Sequence, residues 1–192
     1  MNSQIERAIN VLMHDGLIVY PTDTLYGLGA DALSDEAILK VFEAKGREYH
    51  RPISIAVSDV EMMEAVAYID EISQACIDEF LPGPVTIVLK ARNILSPYLT
   101  AGTKKIGIRY PDHETALEII KKYDSPITAT SANISGGPEP LSIELCNVPY
   151  DFAVNAGQLP GTPSTVVDLV DGEIIRAGAD IEKIAAFLAK WC

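Results

Sequence analysis

Apolar residues follow two alternating spacings along the chain. The opening segment "MNSQIERAINVLMHDG" has the helical period and predicts an amphipathic helix over residues 3–14, stopped at Gly16. A short apolar run, "LIVY" at 17–20, then reads as a buried strand. In "SDEAILKVFEAKG" Ser34 is a predicted N-cap, with Asp35 and Glu36 in the first turn. Ile38, Val41 and Phe42 share one face of this helix, and Gly46 supplies its stop. Further strands are predicted at 53–57 ("ISIAV"), 85–90 ("VTIVLK"), 106–110 ("IGIRY"), 127–130 and 152–156 ("FAVNA"). The acidic segment 60–80 reads as one or two helices, 113–123 as another, 142–147 as a short one and 180–191 as a closing helix. "TVVDLV" and "EIIR", joined by Asp171-Gly172, carry a hairpin signature. Strands alternating with helices mark the α/β class, and the hairpin and irregular spacings indicate a mixed sheet. Without a repeat, low-complexity tract or linker, residues 1–192 are expected to form a single domain: a twisted, open mixed β-sheet with flanking helices.

Composition narrows the class. The 48% apolar content is ordinary for a globular protein, and no apolar run is long enough for a membrane span. The N-terminus lacks the basic start and apolar block of a signal peptide. Cys76, Cys146 and Cys192 are widely spaced and form no CxxC pair, so they read as reduced, non-ligating thiols in a cytoplasmic protein. A net charge of −12 argues against broad nucleic-acid binding by a basic surface. Two basic islands stand out on this acidic chain. One holds Lys40, Lys45, Arg47 and Arg51 against Glu43 and Glu48; the other holds Lys104, Lys105 and Arg109. Such islands suit a small polyanionic ligand.

Several reactive motifs are missing, namely GxxxxGK[ST], GxSxG and HExxH. His14, His50 and His113 have no ligand spacing, so neither a zinc site nor a Ser-His-Asp hydrolase is expected. What remains is a set of polar strand ends. "VYPTDTLYGLGADA" offers Thr22, Asp23 and Thr24, then Gly27 and Gly29, where backbone N–H groups can approach a ligand. "KGREYHRP" places three basic side chains in a short loop, and Arg109 closes the strand "IGIRY". "TSAN" ends another strand, "PSTVVD" starts one with Ser164 and Thr165, and "IIRAG" ends on Arg176. In open α/β sheets the crevice beyond the strand ends is the usual ligand site. Arginines and a lysine suit phosphate or carboxylate, and hydroxyls with an amide suit a polar ligand.

"YPTDTLYGLGADA", "KGR", "RPISI", "LPGPVTIVLK", "IGIRYPD", "TATSANISG" and "PSTVVD" occur in that order, and together they resemble the YrdC-like family of threonylcarbamoyl-AMP synthases over about residues 5–178. The family's K-x-R and S-x-N pairs appear as Lys45/Arg47 and Ser131/Asn133. The resemblance implies a concave, positively charged cavity and a nucleotidyltransferase reaction: L-threonine, bicarbonate or CO2 and ATP give L-threonylcarbamoyl-AMP and pyrophosphate. A downstream transferase complex would then modify ANN-decoding tRNAs. By position, Thr24, Arg109, Ser131 and Ser164 resemble the threonine site; Lys45, Arg47, Arg51, Asn133 and Arg176 resemble the ATP site, with Mg²⁺ on the phosphates and no protein metal site. Lys45 and Arg47 are the expected catalytic pair. Where some members carry a histidine five residues after the "RP" arginine, this chain has Ala56. Longer members carry a further C-terminal domain, for which this chain leaves no room. Two rival readings use the same fold: a module contacting tRNA or double-stranded RNA by shape, and a maturation domain making a different carbamoyl-adenylate.

Overall fold

The computed structural model describes residues 2–191, so Cys192 lies outside it. The elements in chain order are α1 (Asn2–Leu12), β1 (Ile18–Tyr20), β2 (Gly27–Gly29), α2 (Asp35–Lys45), β3 (Ile55–Ala56), α3 (Val60–Val66), α4 (Glu71–Phe80), β4 (Val85–Lys90), α5 (Pro97–Thr100) and β5 (Lys105–Arg109). There follow α6 (Glu114–Tyr123), β6 (Ile127–Thr128), β7 (Thr130–Ser131), a 3-10 turn (Ile143–Leu145), β8 (Phe152–Ala153), β9 (Thr165–Asp168), β10 (Glu173–Arg176) and α7 (Ile181–Trp191). The class is α/β with mixed strands, as the alternating periods predict. The strands divide into two sheets, one of six (β10-β9-β4-β5-β3-β6) and one of four (β7-β2-β1-β8).

The passage between the sheets comes from the 127–130 run, which splits at Ala129. Ile127 and Thr128 pair with β3, whereas Thr130 and Ser131 pair with β2. Thr128 stitches the seam with its hydroxyl, which accepts from Ala30 N at 3.0 Å and donates to Leu28 O at 2.9 Å. A β-branched residue that also hydrogen-bonds suits this place, because its methyl packs while its oxygen replaces a ladder partner.

Local chemistry sets the helix ends. Ser34 accepts from Ala37 N, and Gly46 adopts a left-handed φ of 55°, so α2 stops where the sequence places the stop. The 60–80 segment is two helices, because Asp59 and Asp70 each cap one through Met62 N and Ser73 N. The hairpin departs from the two-residue Asp-Gly turn. Asp168 Oδ1 accepts from Val170 N and Asp171 N, which makes the turn Leu169–Gly172 four residues long. β2 and α5 are elements that the apolar period does not signal.

The apolar interior falls into two groups. The larger packs Leu28, Val41, Phe42, Ile55, Ile87, Ile108 and Phe187 between the sheets and helices. The smaller packs Ile5 and Leu12 of α1 against Ile119 and Ile120 of α6. Each such side chain contributes about 1.5–3 kcal/mol of burial. This scaffold fixes the strand ends that carry the polar residues.

Candidate active site

Lys45 ends α2 and points inward. Its residue exposure is 1%, and its ammonium donates to Ser131 O, to Asn133 O at 2.6 Å and to Asn133 Oδ1 at 3.5 Å. The K-x-R helix end and the S-x-N loop are therefore joined directly. This corrects the placement of Lys45 on a polar loop: it is a buried helical residue already engaged by three oxygens. Burial, then Arg47 and Arg51, pull its pKa down to about 8.

The S-x-N loop is a tight turn and not an extended strand, since Asn133 N donates to Ser131 O at 2.9 Å. The two side chains still lie together, Ser131 Oγ donating to Asn133 Oδ1 at 2.5 Å. The Asn133 amide donates to Gly137 O at 2.8 Å and Pro138 O at 3.0 Å. Asn133 thus closes the turn and contacts the lysine at once. Arg47 folds over its own loop, donating to Arg51 O at 3.2 Å and Pro52 O at 2.7 Å.

A second group lines one end of the six-stranded sheet. Arg109, at the end of β5, donates through Nη1 to Gly83 O at 2.7 Å and Val85 O at 2.9 Å, and through Nη2 to Asp23. Five N–H donors less three leave two for a ligand. Thr86, across from Arg109 in β4, shares a 2.8 Å hydrogen bond with Ser164 Oγ. Arg176 closes on the same serine, its Nη2 at 2.8 Å from Ser164 O and 2.9 Å from Ser164 Oγ. Expected in the ATP set, Arg176 is here a direct partner of a residue expected in the threonine set. Ala56, the place where some members carry histidine, sits beside Arg109 in β3 with no exposed surface.

The turn between β1 and β2 connects the two groups. Thr22 Oγ1 closes it, accepting from Thr24 N and Leu25 N at 3.2 Å each, and Thr24 Oγ1 lies 3.1 Å from Thr22 Oγ1. Asp23 in this turn bonds Arg109, while Gly27 just beyond it pairs with Ser131. No hydrogen bond runs directly from the lysine group to the arginine group among the described residues. Gly27 and Gly29 do not open backbone N–H groups to a ligand, as their place after "PTDT" suggested. A methyl at Gly27 would come within 2.9 Å of the Tyr20 ring, so the glycines make room for that buried ring.

The basic islands are smaller in space than in sequence. Lys40 pairs with Glu36 at 2.9 Å, and Lys105 with Asp168 and Asp171 at 2.8 and 2.5 Å. Lys105 also sits at the opposite end of β5 from Arg109, roughly 13 Å away at about 3.3 Å per residue. Asp168, Asp171 and Glu173 form the one carboxylate group spaced for a metal among the described residues. It lies at the far end of β9 from Ser164, with Lys105 already among its oxygens. Sequence reasoning counted Asp23 among the polar strand-end residues but assigned it to neither ligand set, and it gave Thr86 no role. Asp23 carried one signal, an acid between two threonines at a strand end; Thr86 carried none.

The Sua5/YciO/YrdC family model, described as "Telomere recombination", matches residues 10–178. A Pyrococcus abyssi protein named threonylcarbamoyl-AMP synthase is 36% identical over 195 residues, covering 94% of this chain and 57% of that protein. The Bacillus subtilis protein of the same name is 34% identical over 180 residues, covering 93% and 51%. The crystal structure of P. abyssi Sua5 complexed with L-threonine superposes with a TM-score of 0.89 at 34% identity, covering 96% of this chain and 58% of that one. This chain therefore spans about half the length of these curated relatives. With the match running through both polar groups, from the helix α1 to the end of the β9–β10 hairpin, the chain belongs to the Sua5/YciO/YrdC family.

Proposed function

We propose that this chain is an L-threonylcarbamoyl-AMP synthase, converting L-threonine, bicarbonate or CO2 and ATP to L-threonylcarbamoyl-AMP and pyrophosphate. The observation that carries the reading is the direct bonding of Lys45 to Ser131 and Asn133, which assembles the K-x-R and S-x-N pairs next to an arginine-lined sheet end. Curated relatives of the same name, and a relative complexed with L-threonine, support it.

In this reading the threonine carboxylate meets the two spare donors of Arg109, a charge-assisted contact worth about 1.5–3 kcal/mol. Thr24, Ser131 and Ser164 surround the rest of the amino acid. The neutral threonine nitrogen forms a bond to the carbon of bicarbonate as a C–O bond breaks and water leaves, or adds to CO2 and releases one N–H proton to solvent; either route gives a carbamate. A carbamate oxygen then attacks the α-phosphorus of ATP as the bond to the bridging oxygen breaks and pyrophosphate leaves. Both reactants are anionic, so the protein's task is alignment and charge neutralisation. Arg47 and Arg51 supply guanidinium groups to the phosphates, and Lys45 lends its charge from behind the S-x-N turn. Lys45, Arg47, Arg51, Asn133 and Arg176 offer no carboxylate, so Mg²⁺ arrives with ATP and is held by phosphate oxygens.

The product would pass to a transferase that modifies tRNA, which sets the protein in the cytoplasm. No helix among the described residues is long and apolar enough to cross a membrane. The rival RNA-binding reading loses part of its basic surface, because Lys40 and Lys105 are paired with acidic side chains and Arg109 is buried against Asp23. Pyrophosphate release tests the reading: it should require L-threonine, bicarbonate and ATP together. Equal release without threonine would refute it.

A further inference from the structure

Asp23 holds an unused oxygen at the threonine end of the site. Its side chain is 10% exposed, and its Oδ1 is taken by Arg109. Its Oδ2 is buried and has no hydrogen-bond partner among the described residues. A buried carboxylate oxygen without a donor is costly, so its persistence needs a reason. The neighbouring groups do not supply one. The Tyr20 hydroxyl donates to Thr128 O at 3.1 Å, and Arg109 Nη1 is spent on two carbonyls. His113 Nδ1 is itself buried without a partner, so it makes no hydrogen bond to Asp23; burial lowers its pKa against the opposing pull of Asp23, so it brings no positive charge to that carboxylate near pH 7.

We propose that Asp23 Oδ2 accepts an N–H from the α-amino group of the amino-acid substrate, the nitrogen that becomes carbamoylated. This rests on the amino-acid-activating reading above. An α-amino acid carries an anionic carboxylate and a cationic nitrogen on one carbon. A side-by-side Arg109–Asp23 pair, each with donors or a lone pair to spare, presents the complementary charges in the same order. The arrangement also selects against carboxylates that lack an amine: they would meet Arg109 with Asp23 beside it and nothing to offset the repulsion. Asp23 is in this view a binding residue. It holds the nitrogen in place and makes no hydrogen bond to Lys45.

A ligand comparison tests this. Calorimetry would measure L-threonine and (R)-3-hydroxybutyrate, which keeps the carboxylate and hydroxyl but lacks the amine, on the wild type and on Asp23→Asn. The wild type should prefer threonine by about ten-fold or more, the scale of one charge-assisted hydrogen bond. Asp23→Asn should lose that preference, with threonine weakened and hydroxybutyrate unchanged or tighter. Equal weakening of both ligands would overturn the proposal and leave Asp23 as a support for Arg109. If Asp23→Asn does not fold, the wild-type pair alone decides, since equal affinity for the two ligands also overturns it. Absence of threonine binding to the wild type would instead remove the amino-acid reading, and this proposal with it.

Discussion

Lys45 Nζ donates to the carbonyl of Asn133 at 2.6 Å, across 88 residues of sequence. The same ammonium reaches Ser131 O, so one side chain ties the end of α2 to the seam between the sheets. A contact of this kind bears on stability and, in the proposed function, on ligand binding, and substitution should separate the two.

Lys45→Ala removes the donor from one buried and one partly buried carbonyl. The expected loss is about 2–3 kcal/mol, which lowers Tm by roughly 5–10 °C in a domain of this size. Arg47→Ala removes a side chain that bonds only its own loop, so Tm should move by a few degrees at most while the KM for ATP rises sharply. Thermal melts beside ATP titrations check the pair. A stable Lys45→Ala with normal ATP use would contradict both roles.

The pH behaviour follows from the same burial. The folded pKa of Lys45, about 8, lies below the ordinary lysine value of about 10.4. Between those values the unfolded chain binds more protons than the folded one, so the contribution of Lys45 to stability rises with pH across that window. Its charge near the nucleotide is lost over the same range. ATP affinity should therefore fall as pH passes about 8, and Lys45→Arg, which stays protonated, should flatten that fall. Calorimetric titration of ATP at several pH values reads it, and a parallel decline in both proteins would count against Lys45 as the titrating group.

Ser131 and Asn133 should part company. Ser131 makes a single side-chain bond, to Asn133, so Ser131→Ala should raise the KM for threonine with a small change in Tm. Asn133 also holds Gly137 O and Pro138 O, so Asn133→Ala should weaken ATP use and cost about 1–3 kcal/mol. Melting temperature and KM for each substrate, measured on both variants, separate these outcomes. Normal affinity for both ligands in both variants would leave the loop with a purely structural role.

Substrate choice gives a further check. A pocket that hydrogen-bonds the threonine hydroxyl should reject valine strongly, because its polar groups would go unpaired. Serine lacks only a methyl, worth roughly 1 kcal/mol, and should remain a poor but measurable substrate. Turnover of valine at the threonine rate would exclude a hydroxyl-reading pocket.

What the sequence could disclose is set by distance along the chain. The end of α2 was legible because Ser34 and Gly46 mark it locally, and the apolar runs located β4 and β5. β2 was not, since Gly27 and Gly29 look like turn residues until the Tyr20 ring that needs their space is seen against them. The division into two sheets was hidden for a similar reason: Ala129 ends neither apolar run, and only pairing partners show that the chain changes sheets there. In the candidate site, resemblance singled out Lys45, Ser131 and Asn133, which do meet. It passed over Asp23, whose bond to Arg109 spans 86 residues. Charge spacing placed Lys105 in a positive island that Asp168 and Asp171 of the β9–β10 hairpin neutralise.

The central claim is best tested on the product itself. The chain would be incubated with ATP, L-threonine and heavy-carbon bicarbonate, and the quenched reaction analysed by mass spectrometry. The account predicts a threonylcarbamoyl-AMP ion that carries the heavy carbon, disappears when any one substrate is omitted, and falls steeply in Arg109→Ala. Threonyl-AMP without the added carbon, or ATP turnover indifferent to threonine, would contradict it.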